Sequence, residues 1–245
     1  MTTLRAPAKL TWFLEVTGRR ANGYHELRSE MTTLALADEL RVSEGDELVV
    51  SGDYPAPLGE DNLVRRALSL VGRCARVELV KRIPPGGGLG GGSADAGAIL
   101  RWAGGVDPRR AVALGGDVPF CQLGGRALVE GVGELLTPLR FVERPITLIL
   151  ADFGVSTADC YRAYDELVAA GRRPTGRNHL EPAARLVEPR VGRLLDWARA
   201  HYGEVTLAGS GSTLFVDGHV EVGGTSWDAT GPDGAVHLRQ TTTKP

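Results

Sequence analysis

The sequence predicts a mixed α and β protein of two lobes. Alternating apolar and polar residues over 4–16 predict a long amino-terminal strand. A glycine-rich loop at 86–93 separates a second strand, at 76–83, from a helix at 94–102. A proline-bearing stretch at 137–144 then interrupts the pattern, and we place the boundary between the lobes there.

The composition limits the class of protein. The 245 residues include an ordinary share of apolar residues for a globular chain, and the net charge of −2 argues against a nucleic-acid or membrane surface. No apolar run is long enough for a membrane span, and the amino terminus lacks a signal-peptide core, so we expect a cytoplasmic protein. The three scattered cysteines and five histidines show neither a disulfide framework nor the spacing of a zinc site.

The first strand and the turn after it contain two candidate functional positions. Lys9 lies in a strand whose other face is apolar, and it is either a solvated lysine or a functional one. Asn22-Gly23 predicts a turn, which is followed by Tyr24 and His25. These two residues offer a stacking face and ring nitrogens, although an ordinary exposed turn would have the same sequence.

The glycine-rich loop has the composition of an anion-binding site. Glycine tolerates positive φ and allows a ligand to approach the backbone, and a helix N-terminus presents unpaired N–H groups. A strand, a glycine loop and a helix in this order therefore suit a polyphosphate. The loop differs from a Walker loop and from the dinucleotide fingerprint. The alternative is a flexible linker or a structural turn.

Helix-capping residues and glycine or proline residues predict the other elements of the first lobe. Asp61-Asn62 caps a predicted helix at 63–71, and a short helix follows at 109–114. Asp117 lies between two glycines and Val-Pro, where it is either a functional carboxylate or a helix N-cap. Residues 126–135 predict a hairpin.

The second lobe reads as strands and two helices. Strands are predicted at 145–151, 205–208 and 213–216, the last two around a glycine-serine turn. One helix begins after Ser156 and ends at Gly171, and the other begins at Pro189. Residues 217–245 are expected to be mostly loop, with a last strand near 236–240.

Five separated motifs resemble the GHMP kinase superfamily, which includes galactokinase, homoserine kinase and mevalonate kinase. In chain order they are Ala6-Pro7-Ala8-Lys9, Gly23-Tyr24-His25, the glycine loop with its preceding Pro84-Pro85, Gly115-Gly116-Asp117-Val118-Pro119, and Gly209-Ser210-Gly211-Ser212. The closest resemblance is to the branch that phosphorylates the 2-hydroxyl of 4-diphosphocytidyl-2-C-methyl-D-erythritol in non-mevalonate isoprenoid (terpenoid) synthesis. The resemblance implies a ribosomal-protein-S5-like lobe at 1–140 and a small ferredoxin-like lobe at 141–245, with the active site between them.

The resemblance also implies roles for individual residues. Lys9 and Asp117 match the catalytic pair. ATP would contact the loop and its neighbours, namely Gly86, Gly87, Gly88, Leu89, Gly90, Gly91, Gly92, Ser93, Lys81, Asn62 and Leu63. The cytidyl diphosphate substrate would contact Tyr24, His25, Thr11, Thr157 and Tyr161. ATP and Mg²⁺ are the expected cofactors, whereas the metal ligands and the oligomeric state are not assigned.

The chain departs from this family at a few positions. Thr11 stands where the family has asparagine, and Ala94 replaces the second serine of the loop. The amphipathic helix expected between Val216 and the last strand is absent from the pattern.

Two other functions remain open from the sequence. The first is a related small-molecule kinase for mevalonate or a sugar, against which the Tyr24–His25 pair argues. The second is a nucleotide-binding protein without catalysis, against which Lys9 and Asp117 argue.

Overall fold

A computed structural model describes residues 1–220 and 226–245, and its first sheet has six strands. They are β1 (Thr2–Arg19), β2 (His25–Ser43), β3 (Leu48–Gly52), β4 (Arg76–Lys81), β5 (Arg126–Gly131) and β6 (Leu135–Pro138). The order is β3-β4-β2-β5-β6, and β1 pairs with β2 in addition. Four helices accompany this sheet: α1 (Leu63–Leu70), α2 (Gly91–Trp102), α3 (Pro108–Ala111) and α4 (Val118–Leu123).

The β1–β2 hairpin is longer than predicted and irregular where Lys9 lies. Its register shifts between Pro7 and Lys9 and again between Thr11 and Phe13. A bulge of this kind re-aims the side chains beside it. Lys9 is only 4% exposed, so the solvated-lysine interpretation is wrong.

In the first lobe α1 and α3 begin within one residue of their predicted starts, whereas α2 begins earlier and α4 was not predicted as a helix. The Asn62 side chain accepts a hydrogen bond from the backbone N–H of Val64 at 2.8 Å and starts α1 as predicted. α2 begins at Gly91, three residues before the predicted start, because Gly90 takes a left-handed φ of 69° and serves as the cap. The last two glycines of the loop and Ser93 therefore form the first turn of a helix.

The second sheet contains five antiparallel strands in the order β10-β11-β7-β9-β8. They are β7 (Pro145–Leu150), β8 (Thr206–Leu207), β9 (Leu214–Asp217), β10 (Ser226–Gly231) and β11 (Gly234–Thr242). Its helices are α5 (Thr157–Ala169), α6 (Glu181–Val187) and α7 (Pro189–Tyr202). As predicted, the Ser156 side chain caps α5, and α7 begins at Pro189.

The second lobe differs from the prediction in two places. Helix α6 was not predicted, and the expectation of a loop was wrong where β10 occupies part of that segment. β10 and β11 form a hairpin in which Gly231 pairs with Gly234 around Pro232-Asp233. Pro-Asp-Gly is a turn signal with a known mechanism, and it marks this hairpin in the sequence.

The two sheets divide the elements as the two-lobed α+β fold requires. One continuous core joins them, since Ile146, Leu148 and Phe215 pack in the same cluster as the first sheet. Trp12 and Phe215 meet edge to face, with ring centroids 5.5 Å apart. The division of the chain at 140/141 itself stays a prediction.

Candidate active site

A cleft of about 440 Å³ lies where the glycine loop meets β1, α1 and α5. Most of the residues predicted from the sequence line it, namely Lys9, Asn62, Leu63, Lys81, Gly86, Gly87, Gly88, Gly90, Gly91, Gly92, Ser93, Asp117, Thr157 and Tyr161. A concave site of this size is large enough for a small-molecule ligand. The fold therefore brings together motifs that are far apart in the chain.

Lys9 and Asp117 form an ion pair in this cleft. Lys9 Nζ lies 3.2 Å from Asp117 Oδ2 and donates a hydrogen bond to Thr11 Oγ1 at 3.1 Å. Asp117 stands at the N-cap position of α4, but its side chain makes no capping hydrogen bond, so the helix-cap interpretation is wrong. Thr11 is buried and contacts the lysine, whereas its predicted role in substrate binding stays a prediction.

The glycine loop is held by backbone hydrogen bonds from both lobes. The Lys9 N–H donates to the Leu89 carbonyl at 3.0 Å, and the Thr213 N–H donates to the Gly87 carbonyl at 3.2 Å. Leu89 is fully buried in the core and anchors the loop. Because the cap residue Gly90 has no side chain, no side-chain cap satisfies the first N–H groups of α2, which begins at the cleft. These donors suit an anionic ligand.

Lys81 forms a buried cluster with two carboxylates beneath the loop. Its ammonium contacts Asp38 and lies 2.7 Å from Asp95 Oδ2. Burial disfavours the charged form of Lys81, but Asp95 and Asp38 outweigh this effect and raise its pKa. Burial raises the pKa of Asp95 to about 8, and Lys81 only partly opposes this shift.

Sequence reasoning missed Asp38 and Asp95. Asp38 also accepts hydrogen bonds from the backbone N–H groups of Arg82 at 2.5 Å and Ile83 at 2.8 Å, which fixes the end of β4. The available signal for Asp95 was a lone charge among the buried small and apolar residues of α2. The Lys81 ammonium already has two carboxylate partners, which leaves it less available to ATP. Its assignment as a ligand of ATP stays a prediction.

The predicted substrate residues fall into two groups. His25 stacks on Tyr161 with ring centroids 4.7 Å apart, and Thr157 Oγ1 lies 2.8 Å from Ser210 Oγ at the mouth of the same cleft. Tyr24 is 66% exposed and lies outside the residues that line the cleft. Thr157 and Tyr161 thus line the cleft, His25 is outside its lining and is joined to it by stacking on Tyr161, and Tyr24 is exposed on the turn.

Comparison with known proteins agrees with this geometry. Residues 62–125 match the model of the GHMP kinases N terminal domain. The 4-diphosphocytidyl-2-C-methyl-D-erythritol kinase of Paracoccus denitrificans (strain Pd 1222) is 37% identical over 231 residues, which cover 86% of this chain and 84% of the relative. The kinase of the same name from Bordetella pertussis (strain Tohama I) is 35% identical over 240 residues, which cover 86% of this chain and 80% of the relative.

The chain belongs to the 4-diphosphocytidyl-2-C-methyl-D-erythritol kinase family. A crystal structure of 4-(cytidine 5'-diphospho)-2C-methyl-D-erythritol kinase superposes with a TM-score of 0.68 at 32% identity, covering 97% of this chain and 99% of that chain. The crystal structure of Methanococcus jannaschii mevalonate kinase shares the fold, with a TM-score of 0.56 at 12% identity. The superposition covers 89% of this chain and 90% of the mevalonate kinase chain. The resemblance to GHMP kinases that the motifs predicted is confirmed.

Two further observations concern metal-binding groups and membrane-spanning helices. Within 1–220 and 226–245, no group of three or more acidic, histidine or cysteine side chains could hold a metal ion. Among the same residues, no helix is both long and apolar enough to cross a membrane.

Proposed function

We propose that this kinase transfers the γ-phosphoryl group of ATP to the 2-hydroxyl of 4-diphosphocytidyl-2-C-methyl-D-erythritol. The observation that carries the proposal is the Lys9–Asp117 pair, which lies in one cleft with the N-terminus of α2. The family relatives support the choice of substrate through their names. We also expect the enzyme to work in the cytoplasm, as an enzyme of isoprenoid synthesis without a nucleic-acid partner.

The residues of the pair divide the chemistry between them. Asp117 Oδ2 accepts the proton of the attacking hydroxyl as its oxygen bonds to the γ-phosphorus, while the bond from that phosphorus to the β–γ bridging oxygen breaks and ADP leaves. Lys9 holds the Asp117 carboxylate in place through the 3.2 Å ion pair, and it stabilises negative charge that develops on the transferred group. Because phosphoryl transfer depends mainly on positioning and charge neutralisation, these two groups and a phosphate-binding loop are sufficient protein machinery.

Mg²⁺ fits this cleft as the partner of the nucleotide. Because the described residues contain no metal cluster of their own, the metal would be held largely by ATP phosphates. Ser93 and Asp117 both line the cleft and offer the oxygen atoms that Mg²⁺ prefers. When bound, the ion neutralises phosphate charge.

The two ends of the cleft suit the two substrates. Asn62 and Leu63 lie on the side where α1 begins, which we assign to the nucleoside part of ATP. Tyr161 and Thr157 line the cleft where α5 begins, and with His25 stacked on Tyr161 they offer flat rings and hydrogen-bonding groups that suit cytosine. Tyr24 is exposed on the adjacent turn, and we propose that it covers the base when the substrate binds.

The test is a steady-state assay of ADP release with the cytidyl substrate. Asp117→Asn should lower kcat by about 10²–10⁴-fold, the usual contribution of a general base, while both substrates still bind. Lys9→Ala should also lower kcat strongly, and the double variant should lose less than the two effects combined, because the pair acts as a unit.

The matched control is Asp107→Asn, which changes an aspartate that does cap its helix by accepting from the Arg109 N–H at 2.8 Å. Asparagine caps nearly as well as aspartate, so this variant should keep both its kcat and its melting temperature. A folded Asp117→Asn protein with near-normal kcat would refute the assignment of the base. Stabilisation by mevalonate but not by CDP in thermal shift would instead support the related kinase function.

A further inference from the structure

Three side chains on one face of α5 contact His25. Tyr161 stacks on the imidazole, and Tyr164 meets it edge-on with ring centroids 5.9 Å apart and planes at 88°. Asp165 Oδ1 lies 2.6 Å from His25 Nε2. Positions 161, 164 and 165 are neighbours on a helix surface, so a single turn of α5 holds the ring in both plane and direction.

Both oxygens of the Asp165 carboxylate have partners. Oδ1 faces His25, and Oδ2 lies 3.3 Å from an Nη1 of Arg19. The guanidinium holds the carboxylate in a fixed orientation toward the imidazole. An ionised carboxylate only accepts hydrogen bonds, so His25 must carry its hydrogen on Nε2.

The other ring nitrogen of His25 is then the available polar atom. No hydrogen-bond partner for Nδ1 occurs within the described parts of the chain. The neutral ring with hydrogen on Nε2 has a lone pair on Nδ1, which is an acceptor. The His25 side chain is 9% exposed and is packed between Tyr161 and Tyr164, so the ring has little room to turn, while Nδ1 is not among the fully buried atoms and stays accessible to a ligand.

We propose that Asp165 is a positioning residue that sets the specificity for the nucleobase. By fixing the hydrogen on Nε2 of His25, it presents Nδ1 as an acceptor for an exocyclic amino group, which cytosine has. Uracil carries a carbonyl oxygen at that position and would place two acceptors against each other. This inference rests on the proposed function, because it assumes that the base binds beside His25.

The substitution Asp165→Ala removes the acceptor, and Asp165→Asn leaves an amide that can present either its oxygen or its NH₂ group to the ring. Asp159→Asn is the matched control, since Asp159 lies on the same helix and pairs with Arg162 rather than with His25. The first readout is the tautomer of His25 in the free enzyme, from ¹⁵N NMR of the imidazole. The second is the dissociation constants of CDP and UDP, measured by calorimetry on each full-length protein.

The wild-type enzyme and Asp159→Asn should show hydrogen on Nε2 alone and should prefer CDP over UDP. Asp165→Ala should show a mixture of tautomers, and its preference for CDP should fall by about tenfold, the order expected when one buried hydrogen bond is lost. Asp165→Asn should show a smaller fall. The KM for ATP should not change in any of these variants, whereas a merely structural role would weaken CDP and UDP binding equally.

Three results would overturn the proposal. They are hydrogen on Nδ1 in the wild-type free enzyme, equal binding of CDP and UDP by the wild type, and an unchanged preference in a folded Asp165→Ala protein. Failure of the proposed function would appear differently, as no release of ADP with the cytidyl substrate while the tautomer and the preference for CDP persist.

Discussion

A methyl group added at Gly90 would strike Lys9, one member of the proposed catalytic pair. An ideal Cβ at this position would lie 2.8 Å from Lys9 Cγ and 3.7 Å from Asp117 Oδ2. Since ordinary contact begins at 3.4 Å, the Lys9 side chain would have to move by about 0.6 Å. Gly90→Ala should therefore disturb the chemistry more than the binding of either substrate.

The effects on stability and on rate can be estimated separately. Gly90 has a φ of 69°, and a left-handed conformation costs about 1–2 kcal/mol for a residue with a Cβ. For a chain of this size, each kcal/mol lowers the melting temperature by about 2–4 °C. A misplacement on the order of 1 Å near the reacting groups can lower the rate by about 10²-fold. We expect a kcat loss of about 10–10²-fold with modest loss of stability.

Gly72→Ala is the control for this experiment. Gly72 has a similar φ of 63°, and a Cβ there would meet nothing within 4 Å. Both variants should therefore lose similar stability in thermal unfolding, and only Gly90→Ala should lose kcat in the ADP-release assay. If Gly90→Ala were as destabilised as the control but kept kcat within twofold of the wild type, the proposed contact with Lys9 would be irrelevant to catalysis.

Two further predictions follow from buried and exposed groups of the site. The pKa of Asp95 is about 8 in the folded state and 3.8 as an ordinary carboxyl, so the folded state holds an extra proton between these values. Stability should therefore fall as pH rises from about 4 to 8, and the melting temperature of Asp95→Asn should lack that part of the pH dependence. Tyr24→Ala and His25→Ala should each raise the KM for the cytidyl substrate by about 5–150-fold, which corresponds to the loss of about 1–3 kcal/mol of contact with the base, and leave the KM for ATP unchanged. A higher KM for ATP alone would contradict their assignment to the cytosine end, and Tyr24→Ala should keep its melting temperature since the ring is exposed.

Local signals in the sequence were sufficient for most of the fold. Alternation predicted β1, an apolar run predicted β7, capping residues predicted the starts of α1 and α5, and Pro189 predicted the start of α7. Boundaries were less accurate where tertiary contacts set them. α2 begins earlier than its apolar pattern because Gly90, rather than a side chain, forms the cap.

The sequence predicted those residues of the site that belong to motifs, but not the contacts between them. Lys9 and Asp117 could be selected as charges on constrained segments, but their 3.2 Å contact depends on a register shift in β1 that no local pattern reveals. The cluster of Lys81 with Asp38 and Asp95 joins residues from β4, β2 and α2, and Asp165 reaches His25 across 140 residues of sequence. Partners of this kind become visible only when the elements are packed.

Residues 86–93 of the glycine loop combine close packing between the lobes with the proposed binding of phosphate. A Cβ at Gly87 would lie 2.7 Å from Thr213 Oγ1, and one at Gly88 would overlap the Ala208 carbonyl oxygen. The first half of the loop thus needs glycine because the backbone of the second lobe passes close to it. At Gly92 the nearest atom is a Leu63 methyl group at 3.4 Å, and the following N–H groups start α2 at the cleft. Under the proposed function the start of α2 is the part of the loop that would bind phosphate, so the same loop would join the lobes and place the ligand between them.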